Sequence, residues 1–482
     1  MIKGELFMGF LTKPRMLKKS DLNRIHEATV RILEETGIVF HSDEVIAVFK
    51  KEGARVEGQT VYISRKMIDR AIDTVPKVFK FHAKDHEKAI YVGEKDDRVH
   101  VMLDNGPIYI QELSGERRLA TLQDTGNFYK LGQASEVVDI VGQIPVDPSD
   151  VDTRFKSLHA MHHLLRNTDK PLVGIVEHRE RIEQMFEMLE MAMGQKGYLL
   201  DHNAMSVAVC ALSPLQYSLE TCETILAYAR RRQPIMFLTC ALAGVSSSIY
   251  LVRSAILQNA ELIGGLVLSQ IINSGTPYVY SPASTVANMQ NAGYITGPPE
   301  ANLINIIGLQ LANELYHFPT RTMTGMTDSK IVDCQAGYET MQNYFLLMLS
   351  GTHLMNECIG TLDSLMTMSY EKFMIDEEMM SRMLRILEGV KVSDDSFDIS
   401  EILAVGHEGS YLMQPETLAR CRDMWKPTVS FRDSYTDWID SGAEDVAKRA
   451  RRHCQEVLDN CPDRLIGPEL DRDLARYVES RQ

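Results

Sequence analysis

Residues 204–240 read AMSVAVCALSPLQYSLETCETILAYARRRQPIMFLTC, a short apolar run, a helix-like segment and a second apolar run. Short apolar runs bounded by Pro and polar turn residues are typical of buried parallel strands. Parallel neighbours need a crossover of a dozen or more residues, and the segment between the two runs is long enough for one helix. The stretch therefore predicts a strand, a helix and a second, parallel strand.

The same unit recurs along the chain. The other apolar runs are VVDIVGQI (137–144), PLVGIV (171–176), PYVYS (277–281), PTRTMTG (319–325), HLMNEC (353–358) and DISEILAV (398–405). Eight runs alternating with helices predict an α/β protein with a (β/α)8 TIM barrel. Since the chemistry of such barrels lies at the carboxyl ends of the strands, we expect the site residues there.

The chain is longer than one barrel requires. Its 482 residues exceed the roughly 250 of a typical barrel, so further modules are expected. Residues 1–130 mix helical segments with short alternating runs, which indicates an N-terminal α+β module. The catalytic barrel is expected over 131–440, and a charged helical extension packed on its outside over 441–482.

Composition and charge limit the classes of binding partner that the sequence predicts. The net charge of -15 argues against nucleic acid, because binding phosphates needs clustered Lys and Arg. The most apolar stretch, 255–268, contains Gln258, Asn259 and Glu261 and is predicted as a barrel helix, so no membrane association is expected. The opening residues 1–20 lack the apolar core of an export signal, and the eight cysteines show no Cys-x-x-Cys spacing. We therefore expect a cytoplasmic protein with reduced thiols.

Common catalytic signatures are missing, so the polar residues at strand ends become the candidates. The sequence has no phosphate loop, dinucleotide fingerprint, H-E-x-x-H or nucleophile elbow. The seventh run contributes His353, Asn356 and Glu357, and polar groups inside a barrel strand must be hydrogen-bonded or functional. The segment after the sixth run contributes Lys330 and Gln335 near the mouth of the barrel.

Three long stretches resemble the trimethylamine methyltransferase family. They run from ILEETG to DTVP (32–76), from GPPEAN to GTLDS (297–364) and from VGHEGSYL to DSYTDW (405–438). The likeness follows the same order over nearly the whole chain. It implies a (β/α)8 methyltransferase that moves a methyl group from an amine to the Co(I) corrinoid of a separate carrier protein. No permanently bound cofactor is expected, since the Asp-x-His-x-x-Gly motif of cobalamin-binding domains is missing.

One departure from the family bears on the substrate. Its trimethylamine enzymes carry pyrrolysine on strand seven, whereas residues 351–360 here are all ordinary amino acids. Relatives without pyrrolysine act on quaternary amines, so the resemblance implies a quaternary amine substrate, with glycine betaine as the first choice. A quaternary nitrogen already carries its charge and leaves as a neutral amine. We therefore expect no catalytic acid or base, only residues that position the substrate and exclude water.

The resemblance also implies a pocket with an aromatic wall and an anchor for a carboxylate. Aromatic rings hold quaternary ammonium groups by cation–π attraction of about 0.5–2 kcal/mol. The expected substrate-binding residues are His353, Asn356, Glu357, Lys330, Gln335, Tyr338, Tyr280, Tyr109 and Phe237. Among them His353 is the first candidate for the carboxylate anchor, followed by Lys330.

Two alternatives stay open from the sequence. The first is a zinc-dependent barrel acting on methanol or thiols, with His353, Glu357 and Cys358 as the metal ligands, although the main hypothesis includes no metal site. The second is a non-catalytic barrel that binds a quaternary amine. The sequence is also compatible with a homo-oligomer.

Overall fold

A closed barrel of parallel strands forms the centre of this computed structural model, which describes residues 14–94 and 98–482. The barrel strands are β1 (His100–Met102), β2 (Val138–Gly142), β3 (Leu172–Val173), β4 (Met205–Ala211), β5 (Ile235–Thr239), β6 (Tyr278–Pro282), β7 (Arg321–Met323) and β8 (Leu354–Asn356). They are hydrogen-bonded in the order β6-β5-β4-β3-β2-β1-β8-β7. A parallel bridge between Tyr280 and Thr320 closes the barrel. The predicted (β/α)8 fold is therefore confirmed.

Each strand is followed by a helix on the outside of the barrel. In chain order these helices are Leu122–Ala134, Lys156–Asn167, Arg179–Met193, Leu219–Arg230, Leu251–Ile272, Pro299–Gln310, Cys334–Leu349 and Tyr370–Leu387. The sixth continues as a π-helical turn, Leu311–Tyr316. Several of these helices start at a capping side chain, such as Ser218, Asp333 and Ser369, each of which accepts a backbone N–H of the first turn.

The first and last barrel strands differ from the sequence prediction. The run at 398–405, predicted as strand eight, contains the exposed helix Ser400–Val405. Its residues Ile399, Ile402 and Leu403 have the helical spacing i, i+3, i+4, which a short apolar run does not reveal. The first strand is instead β1, at 100–102, which the sequence assigned to the N-terminal module. The barrel therefore begins before residue 131.

The N-terminal module packs against the barrel and closes its lower end. It contains the helices Lys19–Glu35, Asp43–Lys51 and Arg65–Thr74 and the strands Ile38–Phe40, Arg55–Glu57 and Thr60–Tyr62. A hairpin follows, Val78–Phe81 paired with Ile90–Gly93, with the short helix His86–Lys88 in its loop. Its side chains Phe79, Phe81 and Val92 pack among inward residues of the barrel strands. We call this hairpin the plug, since it fills the amino-terminal end of the barrel.

Two small sheets form the rim around the opposite, carboxyl-terminal mouth. One consists of Tyr109–Gln111, Arg117–Leu119, Thr361–Leu362 and Thr367–Ser369. The other consists of Leu242–Ala243, Thr285–Asn288 and Gly293–Tyr294. Both are built from loops that follow barrel strands, so they stand over the predicted position of the site.

The C-terminal part of the chain lies outside the barrel. Its helices are Asp394–Phe397, Ser400–Val405, Pro415–Arg420, Tyr435–Asp440, Val446–Asn460 and Pro468–Glu479. The two longest pack on the barrel helices Tyr370–Leu387 and Lys156–Asn167, respectively. A short helix, Tyr198–Asp201, precedes β4. The short strand Gln216–Tyr217 pairs with Ile38–Phe40 and extends the N-terminal sheet.

One described helix, Leu251–Ile272, has the length and apolar composition of a membrane span, and 78% of its most apolar window is buried in the protein. It is the barrel helix predicted for that stretch. The prediction that the chain opens without an export signal concerns residues 1–20, of which 1–13 lie outside the described residues.

Candidate functional site

The barrel interior is open at its carboxyl-terminal end. Along β4, Val207 and Val209 are buried outward-facing residues, whereas the alternating residues Ala208 and Cys210 face inward and keep partial exposure. Inward residues of a filled barrel would be sealed by neighbouring layers. Their exposure therefore indicates a space above the layer that packs on the plug.

The wall of this space is apolar and rich in sulfur. Leu238, Ala283, Met323 and Met326 form a cluster with the partly buried residues Cys210, Cys240 and Leu365. The Sγ atom of Cys240 lies 4.0 Å from Sδ of Met323. The hydroxyl of Tyr294, which enters from the rim strand Gly293–Tyr294, lies 4.0 Å from Sδ of Met326. Thioethers are flexible and polarizable, so this wall suits methyl groups.

Arg321 places a charge inside the barrel next to that wall. It is the first residue of β7, and only 1% of its surface is exposed. Its Nη2 atom donates to Oδ1 of Asn356, on the neighbouring strand β8. Its Nε and Nη1 atoms are buried without a hydrogen-bond partner. Such donors cost free energy unless they meet an acceptor, so they mark a place for a ligand.

Glu357 is the acid nearest to Arg321. It follows β8 directly, and its Oε1 atom lies 3.9 Å from Nη2 of Arg321. The side-chain amide of Asn105 donates to the carboxylate at 2.5 Å and the backbone N–H of Asn105 at 3.2 Å. Burial raises the pKa of Glu357 to about 7, although the charge of Arg321 opposes the shift. Burial therefore disfavours the ionised form of this carboxyl.

A second buried acid, Asp104, fastens the loop after β8 to the loop after β1. Its carboxylate accepts the backbone N–H groups of Cys358 at 2.6 Å and Ile359 at 3.0 Å. Burial raises its pKa well above the usual range, and the neighbouring charge of Glu357 adds to the shift. The site therefore holds the positive charge of Arg321 beside two acids whose ionisation is disfavoured.

Two thiols of the wall interact with each other. A hydrogen bond with Cys240 lowers the pKa of Cys210, and the same bond together with burial raises the pKa of Cys240. Cys210 is the last inward-facing residue of β4, and Cys240 is the first residue after β5. As the two strands pair in register, both thiols lie at the mouth.

The structure brings two of the predicted site residues to this place, Asn356 and Glu357. His353 lies at the other end of β8, where its Nδ1 atom is 2.7 Å from the hydroxyl of Thr320. Its carbonyl accepts the N–H of His100, at the start of β1. Since the mouth lies beyond residue 356, the structure does not place His353 as an anchor there.

The predicted aromatic wall lies on the wrong side of the strands. Tyr280 points outward, and its hydroxyl donates to Asn259 of the surrounding helix at 3.0 Å. Phe237 also points outward and stacks on Tyr278 with ring centroids 5.2 Å apart. Their neighbours Leu238 and Val279 face the interior instead. A shift of one residue along a strand reverses the side that a residue faces.

The remaining predicted residues lie on the rim. Lys330 is exposed and pairs with Asp363 at 2.8 Å, and Gln335 donates to Glu339 at 3.0 Å. Tyr338 is 60% exposed on the same helix as Gln335. Tyr109 packs under the guanidinium of Arg117, 4.1 Å from the ring centroid. These residues surround the mouth without reaching the wall.

Sequence reasoning missed Arg321, Asn105 and Tyr294. Arg321 had a detectable signal, because it is a charged residue inside a predicted buried strand. Asn105 and Tyr294 lie outside the eight apolar runs, and nothing in their sequence places them at the mouth.

One alternative left open by the sequence was a zinc site formed by His353, Glu357 and Cys358. Across residues 14–94 and 98–482, no group of three or more His, Cys, Asp or Glu side chains is arranged to hold a metal ion. The set His353, Glu357 and Cys358 is divided between the two ends of β8, so the structure does not assemble the zinc site of the first alternative.

Comparisons with known proteins agree with this architecture. The sequence model described as trimethylamine methyltransferase (MTTB) matches residues 8–482. A glycine betaine methyltransferase of Desulfitobacterium hafniense (strain Y51) is 33% identical over 472 residues, 98% of each chain. A proline betaine:corrinoid methyltransferase of Eubacterium limosum is 32% identical over 81% of this chain and 82% of its own. The Methanosarcina barkeri monomethylamine methyltransferase (MtmB) shares the fold, with a TM-score of 0.55 at 13% identity over 92% of this chain and 88% of that chain.

Proposed function

Because the chain belongs to the trimethylamine methyltransferase (MTTB) family, we propose that it transfers a methyl group from a quaternary amine to the Co(I) corrinoid of a separate carrier protein. Glycine betaine is the proposed donor, and dimethylglycine is then the product. The names of two relatives, a glycine betaine and a proline betaine methyltransferase, support a betaine substrate. The reaction is proposed to occur in the cytoplasm, where the eight free cysteines would stay reduced.

The observation that carries the proposal is the pair of unpartnered donors of Arg321. A betaine has a carboxylate at one end and a methylated cation at the other. The unpartnered Nε and Nη1 lie on different edges of the guanidinium, so a substrate carboxylate can accept a charge-assisted hydrogen bond from either of them, and such bonds are strong. Arg321 is therefore the proposed carboxylate anchor, in place of His353.

The neighbouring wall suits the cationic end of the same molecule. Methyl groups on nitrogen have apolar surfaces, and the side chains of Met323, Met326 and Leu238 present apolar surface close to Arg321. The ring of Tyr294 adds an aromatic side chain on the mouth side. Anchored by Arg321, a betaine would thus direct one methyl group toward the mouth, where the carrier docks.

The charges favour the transition state over the bound substrate. During transfer the nitrogen loses its positive charge, so an ionised acid beside it would stabilise the ground state more than the transition state. Burial raises the pKa values of Glu357 and Asp104, which disfavours their ionised forms next to the substrate. No side chain needs to donate or accept a proton. The protein acts by positioning the substrate and excluding water.

The test is an Arg321→Gln variant assayed for methyl transfer to the reduced carrier. The donors are glycine betaine and tetramethylammonium, a quaternary amine without a carboxylate. We expect the variant to lose about 100-fold or more in kcat/KM for glycine betaine, since a buried charged pair contributes about 2–5 kcal/mol. Activity with tetramethylammonium should change much less.

The control is Arg24→Gln, an exposed arginine of the N-terminal helix Lys19–Glu35 that pairs with Asp21. It should leave both donors unaffected. Circular dichroism and thermal unfolding of Arg321→Gln and of Arg321→Lys show whether a loss of activity reflects misfolding. Equal losses for both donors in a folded variant would contradict the anchor, and a wild-type enzyme inactive with every quaternary amine would contradict the function.

A further inference from the structure

The segment 390–424, which we call the arm, contains no buried residue. Even so, it carries ten large apolar side chains that are each more than half exposed: Val390, Val392, Phe397, Ile399, Ile402, Leu403, Leu412, Met413, Leu418 and Met424. Large apolar patches on a soluble protein generally mark an interaction surface. The arm therefore lacks its partner in the single chain.

The arm presents an apolar helix face with nothing packed on it. Ile399, Ile402 and Leu403 lie on one side of the helix Ser400–Val405 and its preceding residue. Ile402 is 57% and Leu403 is 73% exposed. A six-residue helix is too short to be stable by itself in water, so packing against another surface must support it.

Both ends of the arm are rooted away from the mouth. The helix Tyr370–Leu387 follows β8 and runs back toward the plug end, and the arm leaves from its carboxyl terminus. At the other end, Trp425 donates to the hydroxyl of Ser381 at 3.1 Å. The guanidinium of Arg382 lies 4.4 Å from the Trp425 ring centroid. The two anchors of the arm therefore lie on the outside of the barrel, on the carboxyl-terminal half of this helix.

The exposed surface is large enough for a stable interface. Burying one such side chain removes on the order of 100 Å² of apolar surface from water. Ten of them together are comparable with the roughly 800 Å² that each partner contributes to a standard stable complex. Surfaces this apolar are typical of permanent assemblies, whereas a carrier that must leave after each transfer would use a more polar one.

We propose that the arm binds a second copy of this chain and forms a two-fold homodimer. Each copy supplies the same apolar surface, so a closed pair covers both arms with one kind of contact. The surface is independent of the methyl-transfer site.

The test is sedimentation equilibrium of the full-length protein and of Leu403→Asp and Leu412→Asp. We expect the wild type to be a dimer at micromolar concentration. Either substitution places a charge in the apolar contact of both copies, so the dissociation constant should rise at least 100-fold. Leu200→Asp is the matched control: Leu200 is 66% exposed outside the arm, and this variant should dimerise like the wild type.

Hydrogen exchange gives a second measurement that needs no substitution. Protection of residues 390–424 should increase with protein concentration over the range in which the dimer forms. Leu403→Ser, a milder change, should weaken the dimer in the same direction, and thermal unfolding should show that each variant is folded. A monomeric wild type, or arm variants that dimerise as tightly as the wild type, would overturn the proposal. Binding of the corrinoid carrier to the arm of a monomer would overturn it as well.

Discussion

At the residue scale, we expect the protonation of Glu357 to influence how strongly Arg321 binds a substrate carboxylate. The ionised carboxylate lies 3.9 Å from the guanidinium and competes with a substrate carboxylate for it. It also disfavours the loss of positive charge on the donor nitrogen. Because burial raises the pKa of Glu357 to about 7, the protonated, favourable form declines as pH rises through neutrality. We expect kcat/KM for glycine betaine to fall with increasing pH between about 6 and 8.

The Glu357→Gln variant should remove this pH dependence, since glutamine resembles the protonated acid and can still bond to Asn105. Its kcat/KM should be nearly constant over the same range, measured with free reduced cobalamin as acceptor so that carrier docking does not contribute. Asp104 remains present in the variant and is the internal control for other buried acids. A profile that keeps the slope of the wild type would assign the titration to another group.

Two of the predicted site residues, Asn356 and Glu357, lie beside Arg321 in the structure. They were chosen because polar residues at the end of an apolar run are conspicuous. Phe237 and Tyr280 were misplaced because successive residues of a strand face opposite sides. When both faces are buried, a continuous apolar run does not show which residues face the barrel interior. Arg321 was overlooked because its partner groups lie on other strands.

At the scale of elements, the loops after β7 and β8 depend on one glycine. A Cβ atom on Gly325 would lie 2.4 Å from the Cα atom of Cys358, and the Gly325 N–H donates to the carbonyl of Glu357 at 2.8 Å. Gly325→Ala must therefore push these loops apart. We expect it to lower the free energy of unfolding by about 1–3 kcal/mol and to reduce activity, measured by urea unfolding and by methyl transfer.

Gly337→Ala is the matched control in the following helix. No atom lies within 4 Å of the position of its Cβ, and alanine favours a helix over glycine by roughly 0.5–1 kcal/mol. This variant should be as stable as the wild type or more stable. If both variants behaved alike, the close approach at Gly325 would not limit the site.

Most barrel elements could be predicted because each strand and helix repeats one pattern. The two errors have different physical causes. β1 has only three residues and includes the polar His100, so its sequence resembled the short alternating runs of the N-terminal module. The helix at 400–405 has an apolar face that is not covered within the chain, so its sequence resembled a buried strand.

At the scale of the whole molecule, Glu378 joins the barrel to the C-terminal helices. Its Oε2 atom accepts the backbone N–H groups of Thr428, Val429 and Ser430 at 2.7–2.9 Å. Burial alone would raise its pKa, but hydrogen bonds from Ser430 and Arg382 and from the backbone lower it to about 2. The ionised form is thus stabilised by folding. This contribution is present above pH 4.5 and is lost as pH falls toward 2.

Glu378→Gln should therefore loosen residues 428–482 already at neutral pH. We expect faster hydrogen exchange there and a loss of about 1–3 kcal/mol in the free energy of unfolding, because several donors lose a charged acceptor. Glu388→Gln, an exposed acid just beyond the same helix, should change stability by less than about 0.5 kcal/mol. Unchanged exchange in the first variant would show that apolar packing alone holds the extension.

The plug has a consequence for the order of events. Phe79, Phe81 and Val92 fill the amino-terminal end of the barrel. Substrate and product must therefore pass through the carboxyl-terminal mouth, where the carrier is proposed to dock. With a carrier docked there as proposed, we expect the donor to bind before the carrier and the demethylated product to leave only after the carrier has dissociated. Steady-state kinetics would then follow an ordered mechanism with a ternary complex of enzyme, donor and carrier. Excess carrier would inhibit turnover, because carrier bound to the free enzyme would block access of the donor.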